Sequence, residues 1–153
     1  MAERDMPAQA SIVSGYFSPL HHGHLDLFEA ARARTGYLVV IVNNDQQQIL
    51  KKGKIIQPAA ARLRIVQALR VVDAAYLAVE DGPGIDGTFD VIRADYPTTE
   101  LEFCNGGDRR DIDSLPAEEV AAADRNRITL FYGVGGTDKA DASSRIIAAM
   151  ESS

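Results

Sequence analysis

Residues 15–24 read GYFSPLHHGH. The stretch closes a β-rich run, SIVSGYF at 11–17, and opens a helical pattern, HLDLFEAARAR at 24–34, with Leu25, Phe28 and Ala31 at helical spacing. A strand that turns directly into a helix is the start of a βαβ unit. His21 and His24 stand three apart at the helix start and so share a face. Gly23 lets a ligand approach the backbone closely. The helix N-terminus adds free N–H groups and a partial positive charge, an anion site. A histidine pair here offers donors that follow charge as it builds on a phosphate. With a reference pKa of about 6.5, a bound phosphate would favour the charged imidazolium. The same residues also read as surface or capping histidines, or as two ligands of a metal. The metal would need a third ligand from Asp, Glu or Cys, and none stands at telling spacing.

Outward from this stretch, short apolar runs alternate with helical patterns. YLVVIVN at 37–43 is a continuous β-branched run, as for a strand buried on both faces. PAAARLRIVQALRVV at 58–72 opens on proline and carries Leu63, Val66 and Leu69 along one helix face. AAYLAV at 74–79 and LEFCN at 101–105 read as strands, and RITLFYGV at 127–134 as the last one. Helices are predicted at 87–96, stopped by Pro97, at 116–124 and at 141–150. The alternation predicts an α/β fold: a Rossmann-like, doubly wound, parallel five-stranded sheet. It forms a single domain over 1–153, with residues 1–10 flexible. Ligands of such sheets bind beyond the carboxyl ends of the strands, where the strand order reverses.

Composition narrows the function. The chain has 153 residues, 46% hydrophobic and 25% charged, which is enough for one core. Its single cysteine, Cys104, cannot pair internally and reads as a strand-core residue. No apolar run is long enough to span a bilayer and no signal peptide opens the chain, so a cytoplasmic protein without membrane attachment is expected. The net charge of -6 argues against nucleic-acid binding. Within this acidic chain, Gln46 to Val72 contains no Asp or Glu but holds Lys51, Lys52, Lys54, Arg62, Arg64 and Arg70. That local positive field suits a triphosphate, or else marks a solvated loop and polar helix face. Arg62 and Arg70, eight apart, would lie on nearly one face of the helix.

Other residues carry two readings each. Gly106, Gly107 and Asp108 follow a strand and form either a turn or a backbone edge for a base or ribose. Ser143 and Ser144, after Asp141, either cap a helix or hold phosphate. Asp73 ends the helix predicted at 58–72, where a negative charge is poorly placed, and this favours a functional role.

The quoted stretch resembles the GxFDxxHxGH signature of the nucleotidyltransferase superfamily that includes glycerol-3-phosphate cytidylyltransferase, the heptose-1-phosphate adenylyltransferases and phosphopantetheine adenylyltransferase. VNNDQ at 42–46 with KKGK at 51–54, RLRIVQALRVVD at 62–73, NGGDR at 105–109 and ASSRII at 142–147 resemble further family segments, in family order. The resemblance implies that His21 and His24 stabilise the transition state, together with Lys54. It places Gly15, Tyr16, Phe17, Gly23, Lys52, Arg62, Asp73, Gly106, Gly107, Asp108, Ser143 and Ser144 around the nucleotide. Lys139 would stand in for an arginine usual before the last helix. Ser18, Asp45 and Arg70 would face the acceptor. Ser18 replaces an Asp common in the family.

The implied reaction moves a nucleoside monophosphate from an NTP to a small phosphate or phosphonate, with Mg²⁺ held mainly by the NTP phosphates and no metal site in the protein. CMP is favoured, because the glycine-rich ends of the last two strands suit a small pyrimidine. An adenylyltransferase of the heptose-1-phosphate type and a non-catalytic nucleotide-binding regulator are the alternatives. Retention of both histidines and the lysines disfavours the regulator. Relatives of this kind are usually oligomers, so a homodimer is expected.

Overall fold

The computed structural model describes residues 6–82, 84–104 and 117–131. Five strands are present: β1 (Gln9–Gly15), β2 (Leu38–Val42), β3 (Ala74–Leu77), β4 (Glu100–Cys104) and β5 (Ile128–Phe131). All pair in parallel, in the order β3-β2-β1-β4-β5. The connections are helical: α1 (His22–Thr35), α2 (Asp45–Lys52), α3 (Ala59–Gln67), α4 (Asp86–Asp95) and α5 (Ala117–Arg125). This is the doubly wound sheet expected from the sequence. Its order reverses between β1 and β4, so the switch-point crevice opens beyond Gly15 and Cys104.

The β2 run is buried along its whole length because both sheet faces are covered. Its alternate side chains divide between two cores. Leu38, Val40 and Val42 join Val13 of β1 against Phe28 and Ala31 of α1 and Val66 of α3. Val39 and Ile41 join Ile12 against Phe89 and Ile92 of α4 and Ala122 and Ala123 of α5.

Three expectations need correction. First, β1 starts at Gln9, with Ala10 fully buried, so residues 9 and 10 belong to the sheet and not to a flexible leader. Second, α3 stops at Gln67 instead of running to 72. Arg70 therefore lies in the turns that lead into β3, exposed at the amino-terminal end of the sheet, away from the histidines. It shares no helix face with Arg62 and is not placed to meet an acceptor. Third, Asp73 sits at that same remote end. Its carboxylate accepts the Leu38 N–H at 2.8 Å and pairs with Arg32 at 2.9 Å. The paired carboxylate holds the start of β2 to the start of β3, which leaves it no part in a nucleotide site. Its charge is not misplaced on a helix, since α3 ended several residues earlier.

Asp73→Ala removes an acceptor from a strand-end N–H. The expected result is a thermal midpoint lower by about 2–4 °C, from a lost hydrogen bond worth about 1 kcal/mol. Nucleotide affinity, measured by calorimetric titration, should not change. An unchanged midpoint with weakened nucleotide binding would restore a site role to Asp73.

Candidate active site

The loop between β1 and α1 is built around a close approach. Phe17 adopts φ 52, in the left-handed region that bulky residues seldom occupy. Its ring turns back over Gly15, where a Cβ atom would lie 2.8 Å from two ring carbons. The same ring meets His24 edge-on at 4.9 Å and Phe28 at 5.3 Å. Gly15 and Phe17 thus shape the loop from below, one through absence of a side chain and the other through its bulk.

Two imidazoles begin α1. His21 is the N-cap, and its Nδ1 accepts the Gly23 N–H at 3.1 Å. His24, at the third helical position, accepts the His21 N–H on its own Nδ1 at 3.1 Å. This is a reciprocal capping box made of histidines where Ser or Thr and Glu or Gln are usual. The rings stack with centroids 3.7 Å apart and 26° between planes. An Nδ1 that accepts a hydrogen bond carries no proton, so the tautomer follows from these bonds: each neutral ring bears its proton on Nε2. The capping reading of the sequence is therefore realised, on Nδ1 of each ring. The expected imidazolium is not what the geometry favours at His24. Burial, then His21 and Lys52, lower its pKa to about 3.

The basic stretch is distributed differently from its sequence. Lys51 and Lys52 end α2, which Gly53 closes in the left-handed conformation at φ 77. Their ammonium groups lie 4.8 and 5.6 Å from the centre of the Tyr16 ring, whose hydroxyl donates to the Gln47 carbonyl at 3.3 Å. Burial, then Lys51 and Arg62, lower the Lys52 pKa. Lys52 thus stands in the cationic side of the loop beside His24, while Lys54 is exposed just past the cap.

Arg62 is the main correction. Its side chain is fully buried and its guanidinium is committed within the chain. It donates to the carbonyls of Gln57 at 2.8 Å, Tyr16 at 2.9 Å and Asn43 at 2.5 Å, and to the Asp45 carboxylate at 3.0 Å. Asp45 also accepts the Ala59 N–H that opens α3. Arg62 therefore ties the ends of β1 and β2 together, and Asp45 is its counter-ion. Arg62 thus spends its charge inside the chain, while the Asp45 carboxylate stays partly exposed.

An amide network supports the same end of the sheet. Asn44 caps α2 and reaches the carbonyls of Ala78 and Glu80, while Gln47 reaches those of Gly82 and Gly84 and accepts from Asn43. The spacing Asn44-x-x-Gln47 is a capping-box signature that would have revealed α2 in the sequence. Cys104 is a buried strand residue, its thiol pushed up to about 12 by burial and then by Glu102, which does not suit a nucleophile. Gly106, Gly107, Asp108, Lys139, Ser143 and Ser144 lie outside the described residues. Among the described residues no group of three His, Cys, Asp or Glu can hold a metal ion, and no helix is long and apolar enough to cross a membrane.

The depressed His24 pKa sets a pH dependence. Between about pH 6.5 and pH 3 the unfolded chain binds a proton that the folded ring refuses, so stability falls as pH falls through that window; above it His24 contributes nothing. Denaturant midpoints from pH 7.5 down to 4.5 should drop further for the wild type than for His24→Gln. Parallel curves would show that His24 titrates normally in the fold.

A family model described as cytidylyltransferase-like matches residues 12–98, which span β1 to the end of α4 and contain the histidine loop, the lysines and Arg62. The bifunctional protein HldE of Streptomyces coelicolor is 42% identical over 71 residues, 45% of this chain and 15% of that protein. Ethanolamine-phosphate cytidylyltransferase of Arabidopsis thaliana is 34% identical over 131 residues, 82% of this chain and 30% of that protein. The chain thus spans less than half the length of either relative. The crystal structure of a lipopolysaccharide core biosynthesis protein from Thermoplasma volcanium shares the fold, with a TM-score of 0.61, 21% identity, and coverage of 85% of this chain and 98% of that one. With the family model covering more than half of its length, the chain belongs to the cytidylyltransferase-like family.

Proposed function

We propose that this protein transfers a nucleoside monophosphate, CMP in preference to AMP, from a nucleoside triphosphate to a small acceptor bearing a phosphate or phosphonate. The observation that carries this reading is the stacked histidine pair at the switch point of the sheet. Each ring spends Nδ1 on the backbone, so its proton sits on Nε2, and the two rings stack. Two neutral rings can stack with centroids 3.7 Å apart and both serve one phosphoryl group, where two imidazolium ions would repel.

In the reaction, an acceptor oxygen forms a bond to the α-phosphorus. The bond from that phosphorus to the bridging oxygen of the β-phosphate breaks, and the electron pair leaves with pyrophosphate. An acceptor that is already ionised needs no general base. His21 and His24 donate to the oxygens on which charge accumulates, and Lys51, Lys52 and Lys54 neutralise the triphosphate tail. The work is positioning and charge stabilisation, for which a loop held by Arg62 and the Phe17–Gly15 contact is suited. Mg²⁺ would neutralise the triphosphate when bound. The donor set fits an ion carried by the nucleotide, since the histidine loop contains no carboxylate.

The preference for CTP is supported by the Arabidopsis relative, named a cytidylyltransferase and aligned over most of this chain. A homodimer acting in the cytoplasm completes the reading.

The test is pyrophosphate release with each NTP against a panel of small phosphates and phosphonates, the nucleotide product being identified by mass. CTP should exceed ATP by at least about tenfold in kcat/KM. His21→Ala and His24→Ala should each lower turnover by at least about a hundredfold, the usual cost of losing a transition-state donor. A dominant adenylyl product would overturn the CTP preference alone. Near-normal turnover in both variants would overturn the histidine mechanism.

A further inference from the structure

Ser18 lies in the histidine loop, between Phe17 and Pro19, three residues before His21. The residue is fully buried, and its Oγ has no hydrogen-bond partner among the described residues. Buried hydroxyls are normally paired, and an exception calls for a reason. Three polar backbone groups nearby are already engaged. The Tyr16 carbonyl accepts from Arg62, the His21 N–H donates to His24, and the Gly23 N–H donates to His21. Among the described residues nothing supplies the complement to Ser18 Oγ.

Resting on the proposed transfer reaction, we infer that Ser18 Oγ is a substrate-binding donor whose partner is a phosphoryl oxygen, present only when substrate occupies the loop. A hydroxyl can donate to phosphoryl oxygen, which only accepts. A carboxylate at this position, as in the resembled signature, would be acceptor-only and would repel the same group. The serine therefore makes this loop one negative charge more receptive to a phosphate than its aspartate counterpart. The oxygen belongs either to the triphosphate or to the acceptor, and separate ligands tell them apart.

The experiment compares wild type, Ser18→Ala, Ser18→Cys and Ser18→Asp. It measures the thermal midpoint without ligand and calorimetric affinities for CTP, ATP and, in the presence of CTP, inorganic phosphate as the acceptor probe. Removing an unpaired buried hydroxyl should leave the Ser18→Ala midpoint at or above wild type. Affinity should fall by about tenfold or more for CTP or ATP if the partner is the nucleotide, and for phosphate if it is the acceptor. Ser18→Cys, with a weaker donor of similar shape, should fall between, and Ser18→Asp should lose most. A lowered Ser18→Ala midpoint with all three affinities unchanged would overturn the assignment and make the hydroxyl structural. Wild-type protein that binds none of the three ligands would overturn the transfer reading itself, and this assignment with it.

Discussion

A single buried guanidinium holds the ligand end of this sheet together. Parallel strands end in carbonyls that the next strand no longer satisfies, and a buried carbonyl without a donor is costly. Arg62 meets two such groups, those of Tyr16 and Asn43, and the Gln57 carbonyl ahead of α3, from one rigid fork. A buried charge is tolerated only when paired, and Asp45, partly open to solvent, supplies the partner. The ends of β1 and β2 and the approach to α3 are therefore fixed relative to one another. The histidine loop is suspended from that frame.

On this frame the loop caps α1 with the same residues that the proposed reaction would use as donors. Each signature histidine completes the helix cap with Nδ1, which leaves the proton of the neutral ring on Nε2. The cap sets ring orientation and tautomer before any substrate arrives, so little reorganisation remains for the reaction. Phe17 presses against His24 from one side and Lys52 lies on its cationic side, and both burial and charge keep that ring neutral. The lysines that would meet the triphosphate are positioned by Tyr16, whose ring they approach and whose hydroxyl is anchored to α2.

Much of this was legible in the residues. YLVVIVN announced a strand buried on both faces, and the five residues of β2 are all buried. The histidine spacing announced a helix start. Two failures have physical causes. RLRIVQALRVV keeps its apolar rhythm past the helix end because Leu69, Val71 and Val72 still pack on the core from turn conformations. The pattern could not mark where α3 stops, and both Arg70 and Asp73 were misplaced as a result. The other failure was to treat every arginine and lysine between 46 and 72 as solvent-facing charge. Sequence periodicity does not say that Arg62 turns inward, because its partners are backbone carbonyls from three separate segments.

The central claim is that both signature histidines are neutral Nε2–H donors before substrate binds. Long-range ¹H–¹⁵N correlation spectra of histidine-labelled protein test it directly. The expected result is the Nε2–H tautomer for His21 and His24, with no titration of His24 from about pH 8 down to about pH 5. An Nδ1–H tautomer at either residue, or a His24 that titrates near its ordinary value, would contradict it.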